Sequence, residues 1–160
     1  MKVRIDTTQS PNAEDIQAIL TPLRAHNTAL AGDAGAQTFA LLIRDEDTNI
    51  ALGGLHAKVF YRWMFIELLA VPEQARGQGL GSRLMAMAED LAREMNCIGI
   101  WLDTFDFQAP EFYRRLGFSE FGQIEDHPLG HRRFFMQKRL QPGDAELHPA
   151  EAGSSSERSD

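Results

Sequence analysis

The segment "ELLAVPEQARGQGLGSRLM", Glu67 to Met85, sets an arginine and three alternating glycines between an apolar run and a helix-forming run. Glycine loses more conformational freedom on ordering than any other residue, so a turn holding Gly77, Gly79 and Gly81 suggests that exposed backbone is needed there. A helix begins with N–H groups that lack internal partners, and its aligned peptide dipoles add partial positive charge at that end. A phosphate or pyrophosphate satisfies both features, and Arg76 can add charge-assisted hydrogen bonds. A turn that merely packs helix on strand would use the same glycines, so their alternation alone leaves both readings open. A second chemical signal is Glu67, a carboxylate inside the apolar run "MFIELLAV". A charge so placed either faces solvent or does work. Strand alternation predicts that Glu67, Leu69 and Val71 share one face.

Two other phosphate motifs can be compared. A P-loop needs G-x-x-x-x-G-K followed by Ser or Thr, and no such string occurs. Dinucleotide spacing needs a third glycine or alanine three residues on. Here Ser82 follows Gly77-x-Gly79 and Leu84 follows Gly79-x-Gly81. Asp103 could imitate the ribose-binding acid of such a fold, but these glycines sit mid-chain, whereas a dinucleotide domain usually opens with them.

The 160 residues suit one domain, and a hydrophobic fraction of 43% is ordinary for a globular chain. No apolar run approaches the roughly 20 residues that span a bilayer. "MKVRIDTTQSPNAEDI" has no apolar core of a signal peptide. A lone cysteine, Cys97, excludes an internal disulfide framework and makes a reducing, cytoplasmic location the expectation. The net charge of −7 argues against bulk nucleic-acid binding and is compatible with a cationic small substrate. The five histidines lack ligand spacing, so no metal site is expected.

"KVRID" alternates like an opening strand, and Ser10-Pro11 reads as cap and first turn of a helix running to about Ala25. "TALAGDAGAQ" reads as loop or a second short helix. Thr38 to Asp45 forms a strand, and Ile50 to Val71 forms two antiparallel strands turning near Tyr61–Arg62, ended by Pro72. Gly79 to Met95 is a helix with Leu80, Leu84, Met87, Ala88, Leu91 and Met95 on one face, and Met85, Met87 and Met95 read as core filling. "CIGIWLDTF" is a buried strand, "QAPEFYRRL" a short helix closed by Gly117, and "FSEFGQI" and "RRFFMQKRL" are late strands. Residues 141–160 have almost nothing to bury and read as a disordered tail after a domain over 1–140. The element order predicts an α/β (α+β) domain, a mixed and mostly antiparallel sheet with helices on both faces.

With these elements in place, "LLAVPEQARGQGLGSRLM" resembles the acyl-CoA-binding signature of the GNAT superfamily of N-acetyltransferases. That signature follows a strand with Arg or Gln, then glycine three residues on and Gly or Ala two beyond. Arg76, Gly79 and Gly81 fill these positions. "QAPEFYRRLGF" resembles the superfamily's second motif through Ala109, Tyr113 and Leu116 to Phe118. The similarity covers about Thr38 to Leu140. One position departs: the superfamily commonly has Asn seven residues before the tyrosine, and this chain has Asp106, which accepts hydrogen bonds but cannot donate the amide's.

The resemblance implies a single GNAT domain that transfers an acetyl group from acetyl-CoA, its co-substrate, directly to an amine. It implies pyrophosphate on the amides of Arg76, Gly77, Gln78, Gly79, Leu80, Gly81 and Ser82. It places the pantetheine arm along the backbone of Leu69, Ala70 and Val71, with an N–H near Leu69 facing the oxyanion. Tyr113 matches the usual general acid toward the CoA sulfur; the bland alternative is a tyrosine packing the last helix on the sheet. Glu67 is the candidate base, directly or through water, because the superfamily often carries an acid near this point. Phe105, Phe107, His127 and His131 sit in segments that could border an acceptor pocket beside the sheet, although a lone loop histidine is more often solvated or capping. Two other classes compete: a GNAT-shaped module that binds acyl-CoA without catalysis, and a nucleotide-binding α/β protein. No membrane or nucleic-acid partner is expected, and "RRFFMQKRL" offers an apolar sheet edge for a homodimer.

Overall fold

The computed structural model describes residues 1–140, so the tail expected over 141–160 lies outside the described residues. The chain divides into two compact units, Met1–Gly35 and the chain from Ala36 onward.

The first unit carries helix α1 (Ala13–Ala31). Its cap is Asn12, not Ser10. The Asn12 side chain accepts from the Asp15 N–H, and the Asp15 carboxylate accepts from the Asn12 N–H, both at 2.9 Å. That reciprocal pair satisfies two orphan donors at once, which the Ser10-Pro11 reading did not offer. The helix runs past Ala25 and takes in Thr28 to Ala31, ending where Gly32 turns to φ +77°. No strand forms over Lys2–Asp6. Alternation alone does not make a strand, because a strand needs a hydrogen-bonded neighbour.

The second unit is built on a six-stranded sheet: β1 (Gln37–Arg44), β2 (Ala51–Phe60), β3 (Trp63–Ala70), β4 (Gly99–Phe105), β5 (Ser119–Glu125) and β6 (Arg132–Arg139), in the order β1-β2-β3-β4-β6-β5. Tyr61 and Arg62 join β2 to β3 with φ of +49° and +60°. That double positive-φ turn matches the twist of an antiparallel hairpin. Antiparallel pairing runs through the sheet except where β3 meets β4. There the strands pair in parallel only from Trp63 beside Gly99 to Ile66 beside Leu102. Both strands continue beyond that point without pairing to each other, which opens the sheet between its two middle strands.

Helices α2 (Leu80–Glu94) and α3 (Pro110–Arg115) bring Leu84, Met85, Ala88, Ala92 and Tyr113 onto one core with Leu55, Ala57, Val59, Met64, Ile66, Ile100, Leu102, Phe134 and Met136 of the sheet. The mixed sheet and its helices match the expected fold class, and within this unit both helices serve that one face. Met87 is 45% exposed, a correction to its reading as core filler. The buried stripe follows Leu84, Met85, Ala88 and Ala92, and Met87 lies beside that stripe rather than on it. A second correction concerns β6, which lies between β4 and β5 and is not a sheet edge. The edge argument for a homodimer therefore loses its footing.

Candidate active site

Where β3 and β4 separate, a cavity of about 940 Å³ opens. The β3 side contributes Ile66 to Val71, and the β4 side contributes Leu102 to Phe105. The start of α2 closes one end through Arg76, Gly77, Gly79, Leu80, Gly81 and Ser82, with Phe112 and Tyr113 of α3 beside it. Two motifs far apart in sequence thus line one space. Of the residues expected to hold the cofactor, Gln78 alone does not line this cavity.

Gly77 and Gly79 adopt φ of +76° and +73°, a region in which an L side chain is strained. The glycines are needed there for the path of the chain. A Cβ at either position would meet nothing within 4 Å. Gly81 serves differently: its φ is ordinary, and a Cβ there would stand 3.4 Å from the Phe112 ring. Gly79 caps α2 without any side-chain hydrogen bond, so the first-turn amides of Leu80, Gly81 and Ser82 have no cap to bind. Partial positive charge and free donors therefore face the cavity, with the Arg76 side chain held near by a 3.4 Å bond from Nε to the Val71 carbonyl.

Glu67 occupies a bulge. His56 of β2 faces Leu68 and Ala57 faces Ile66, so Glu67 is an extra residue without a partner. Its carboxylate accepts a 2.7 Å hydrogen bond from Lys58 Nζ, and its other oxygen lies 2.9 Å from His56 Nδ1. Despite that proximity, the buried His56 Nδ1 has no partner that meets hydrogen-bond geometry. The Lys58 hydrogen bond, aided by the charges of Lys58 and His56, holds the Glu67 carboxyl below its ordinary range against a smaller opposing effect of burial. Leu69 packs with the core, on the other side of the strand. The alternation expected for Glu67, Leu69 and Val71 is therefore broken, because one inserted residue reverses every later side chain.

Tyr113 is 8% exposed, and among the described residues its hydroxyl forms no hydrogen bond. Burial, reinforced by the negative charge of Asp103, pushes its pKa up to about 12. The phenol therefore stays protonated at neutral pH. Asp103, on β4, is gripped at a single oxygen by Arg133 Nε at 2.7 Å and Nη2 at 2.6 Å.

The departure at Asp106 also has a structural account. One oxygen lies 2.9 Å from His131 Nδ1, and the other accepts from the Arg132 N–H at 3.0 Å. Burial would raise its pKa, but the Arg132 and His131 hydrogen bonds outweigh that and hold the carboxyl low. Asp106 is spent on tying the β4–α3 turn to the β5–β6 turn, and it does not line the cavity. Phe105, Phe107, His127 and His131 do come together. The two phenylalanine rings stack with centroids 5.1 Å apart and planes 7° apart, while His127 meets the edge of Phe105 and His131 that of Phe107.

Sequence reasoning missed Thr104 and Gln108 as cavity residues. The Gln108 side-chain oxygen accepts from the Phe105 N–H at 2.9 Å, and Thr104, 1% exposed, lies 3.3 Å from the same oxygen. A polar pair next to "DTF" carries no periodic signal, so only the turn geometry reveals it. Among the described residues no group of three or more metal-ligating side chains converges.

The sequence pattern of the acetyltransferase (GNAT) family matches residues 6–118. An acetyltransferase from Agrobacterium fabrum is 36% identical over 129 residues, covering 81% of this chain and 93% of that relative. A blasticidin-S acetyltransferase from Streptomyces morookaense is 47% identical over 89 residues, covering 55% of this chain and 65% of its own. The crystal structure of an acetyltransferase from Bacillus cereus superposes with a TM-score of 0.74 at 31% identity, over 84% of this chain and 98% of that one. The glycine-framed helix start, the open seam between β3 and β4, and the buried tyrosine thus have a family that accounts for them together: the chain belongs to the GNAT acetyltransferases and is an acyltransferase.

Proposed function

We propose that the protein transfers an acetyl group from acetyl-CoA to a primary amine of a small molecule or peptide, by direct attack while both are bound. The observation that carries this reading is the continuity of one cavity from the free amides of α2, past β3, to Tyr113 and Glu67.

The first-turn amides of α2 and the Arg76 guanidinium suit a diphosphate in charge and donor geometry. The edge of β3 that faces β4 has no strand partner past Ile66, so its backbone can bind an extended amide-bearing arm and offer an N–H near Leu69 to a developing oxyanion. Acetyl-CoA, when bound there, supplies the activated acetyl group. Tyr113 remains a donor because of its raised pKa, and its hydroxyl serves a departing thiolate better by hydrogen bonding than by full proton loss. Glu67 remains a carboxylate at neutral pH and attracts an ammonium. Its lowered basicity favours removing the proton through water over direct abstraction.

The relative named for blasticidin S places that compound in the acceptor panel. The experiment is free-thiol release from acetyl-CoA across that panel, joined to thermal shift with acetyl-CoA, ATP and NAD. Stabilisation by acetyl-CoA alone and thiol release with at least one amine are expected. Stabilisation without release for any amine would reduce the reading to acyl-CoA binding.

A further inference from the structure

The face of the sheet opposite α2 and α3 has its own chemistry beside the open seam. Past the last parallel pair, Ile66 with Leu102, each strand next presents a carboxylate, Glu67 on β3 and Asp103 on β4. Both line the cavity, and each is balanced by a cation on its outer neighbouring strand: Lys58 of β2 for Glu67, and Arg133 of β6 for Asp103. The seam between them is therefore bordered by acid, with the counter-charges set outward. Next to Asp103 stands Phe105, whose ring carries the Arg133 guanidinium 5.5 Å from its centroid and stacks on Phe107.

Phe107 is the unusual member. It lines the cavity and is 55% exposed, even with one neighbour stacked on it and the His131 ring against its edge. His131 is itself held at 2.9 Å by Asp106, so the platform is braced by a hydrogen bond from a separate loop. An apolar ring fixed at a cavity mouth with much of its surface in water is arranged to receive another flat group.

We propose that the acceptor is an amine with a flat aromatic ring, the ring stacked on Phe107 and the ammonium drawn toward Glu67 and Asp103. This deepens the acetyltransferase reading above and rests on it. A saturated six-membered ring has at least the apolar surface of an aromatic one but lacks the planar π face, so stacking geometry is the discriminating property.

Phenethylamine and 2-cyclohexylethylamine share the two-carbon amine arm, and only the first has a planar aromatic ring. With acetyl-CoA, kcat/KM for phenethylamine is expected to exceed that for the saturated amine about tenfold, chiefly through KM. Phe107→Ala removes an exposed ring and should collapse that ratio to within about twofold, whereas Phe107→Trp should keep it. Equal kcat/KM for both amines in the unaltered protein, or a ratio that survives Phe107→Ala, overturns the proposal. If neither amine is acetylated, the acetyltransferase reading is decided by the wider amine panel and not by this pair. Calorimetric titration of the two amines into the CoA-loaded protein then still reads ring preference, and equal affinities overturn the proposal there too.

Discussion

The Glu67 carboxylate and the Leu69 side chain leave β3 on opposite faces, although they stand two residues apart in one strand. The bulge at Glu67 causes this, and it gives the two residues separate tasks. Leu69 stays with the core and the arm of the strand along the cavity. Glu67 turns to the open face, where Lys58 and His56 keep it charged.

Replacing Glu67 with Gln should lower kcat about 10- to 100-fold while acetyl-CoA affinity changes little. The sign of the pH effect follows from Lys58: its hydrogen bond lowers the Glu67 pKa from 4.5, so removing it returns that value upward. Lys58→Ala should therefore shift the acidic limb of the rate profile to higher pH. An unmoved limb in steady-state rates would separate Glu67 from the proton path.

Tyr113→Phe should reduce kcat about 100-fold or more with a small change in acetyl-CoA affinity by calorimetry. With its pKa at about 12, Tyr113 cannot supply an ionisation in the neutral or mildly alkaline range. The variant should thus keep the wild-type shape of its pH profile at a lower level. Loss of an alkaline limb in the variant would contradict the environment described for the phenol.

Gly79→Ala tests the cradle. At φ +73° the added Cβ costs about 1–2 kcal/mol of strain, although it meets no neighbour. The expected result is a lower melting temperature and a higher KM for acetyl-CoA, with KM for the amine much less affected. Unchanged acetyl-CoA affinity would mean that the glycine serves only the path of the chain.

Glu89 links α2 to β6 by accepting 2.6 Å hydrogen bonds from Arg93 and Lys138. Burial alone would raise its pKa, but those bonds outweigh burial and set it below 4.5. Its stabilisation is thus complete above about that pH and lost as pH falls through the folded value. Glu89→Gln should cost about 1–2 kcal/mol at neutral pH, since a charged hydrogen-bond partner is lost. The difference in melting temperature from wild type should shrink near pH 4. A difference independent of pH would assign the loss to packing instead.

Much of the fold was legible from local pattern. The hairpin turning at Tyr61–Arg62, helix α2 and the short helix closed by Gly117 follow from alternation, 3.6-residue periodicity and turn chemistry, all of which act over a few residues. The misreadings share a cause. "KVRID" alternates but has no strand partner, β6 looks like an edge but is inserted between β4 and β5, and Met87 is apolar but sits off the buried stripe.

The sequence by itself determined which groups are present for chemistry: the glycine turn before α2, the carboxylate at Glu67, the tyrosine at 113 and their membership of one family. Tertiary structure alone decided what those groups face. The bulge at Glu67 sends Leu69 to the other face, Asp103 adds its charge to the surroundings of Tyr113, and Asp106 is committed to His131 and Arg132. Residue type is local information, whereas burial, register and electrostatic partners arise only when segments distant in sequence are packed together.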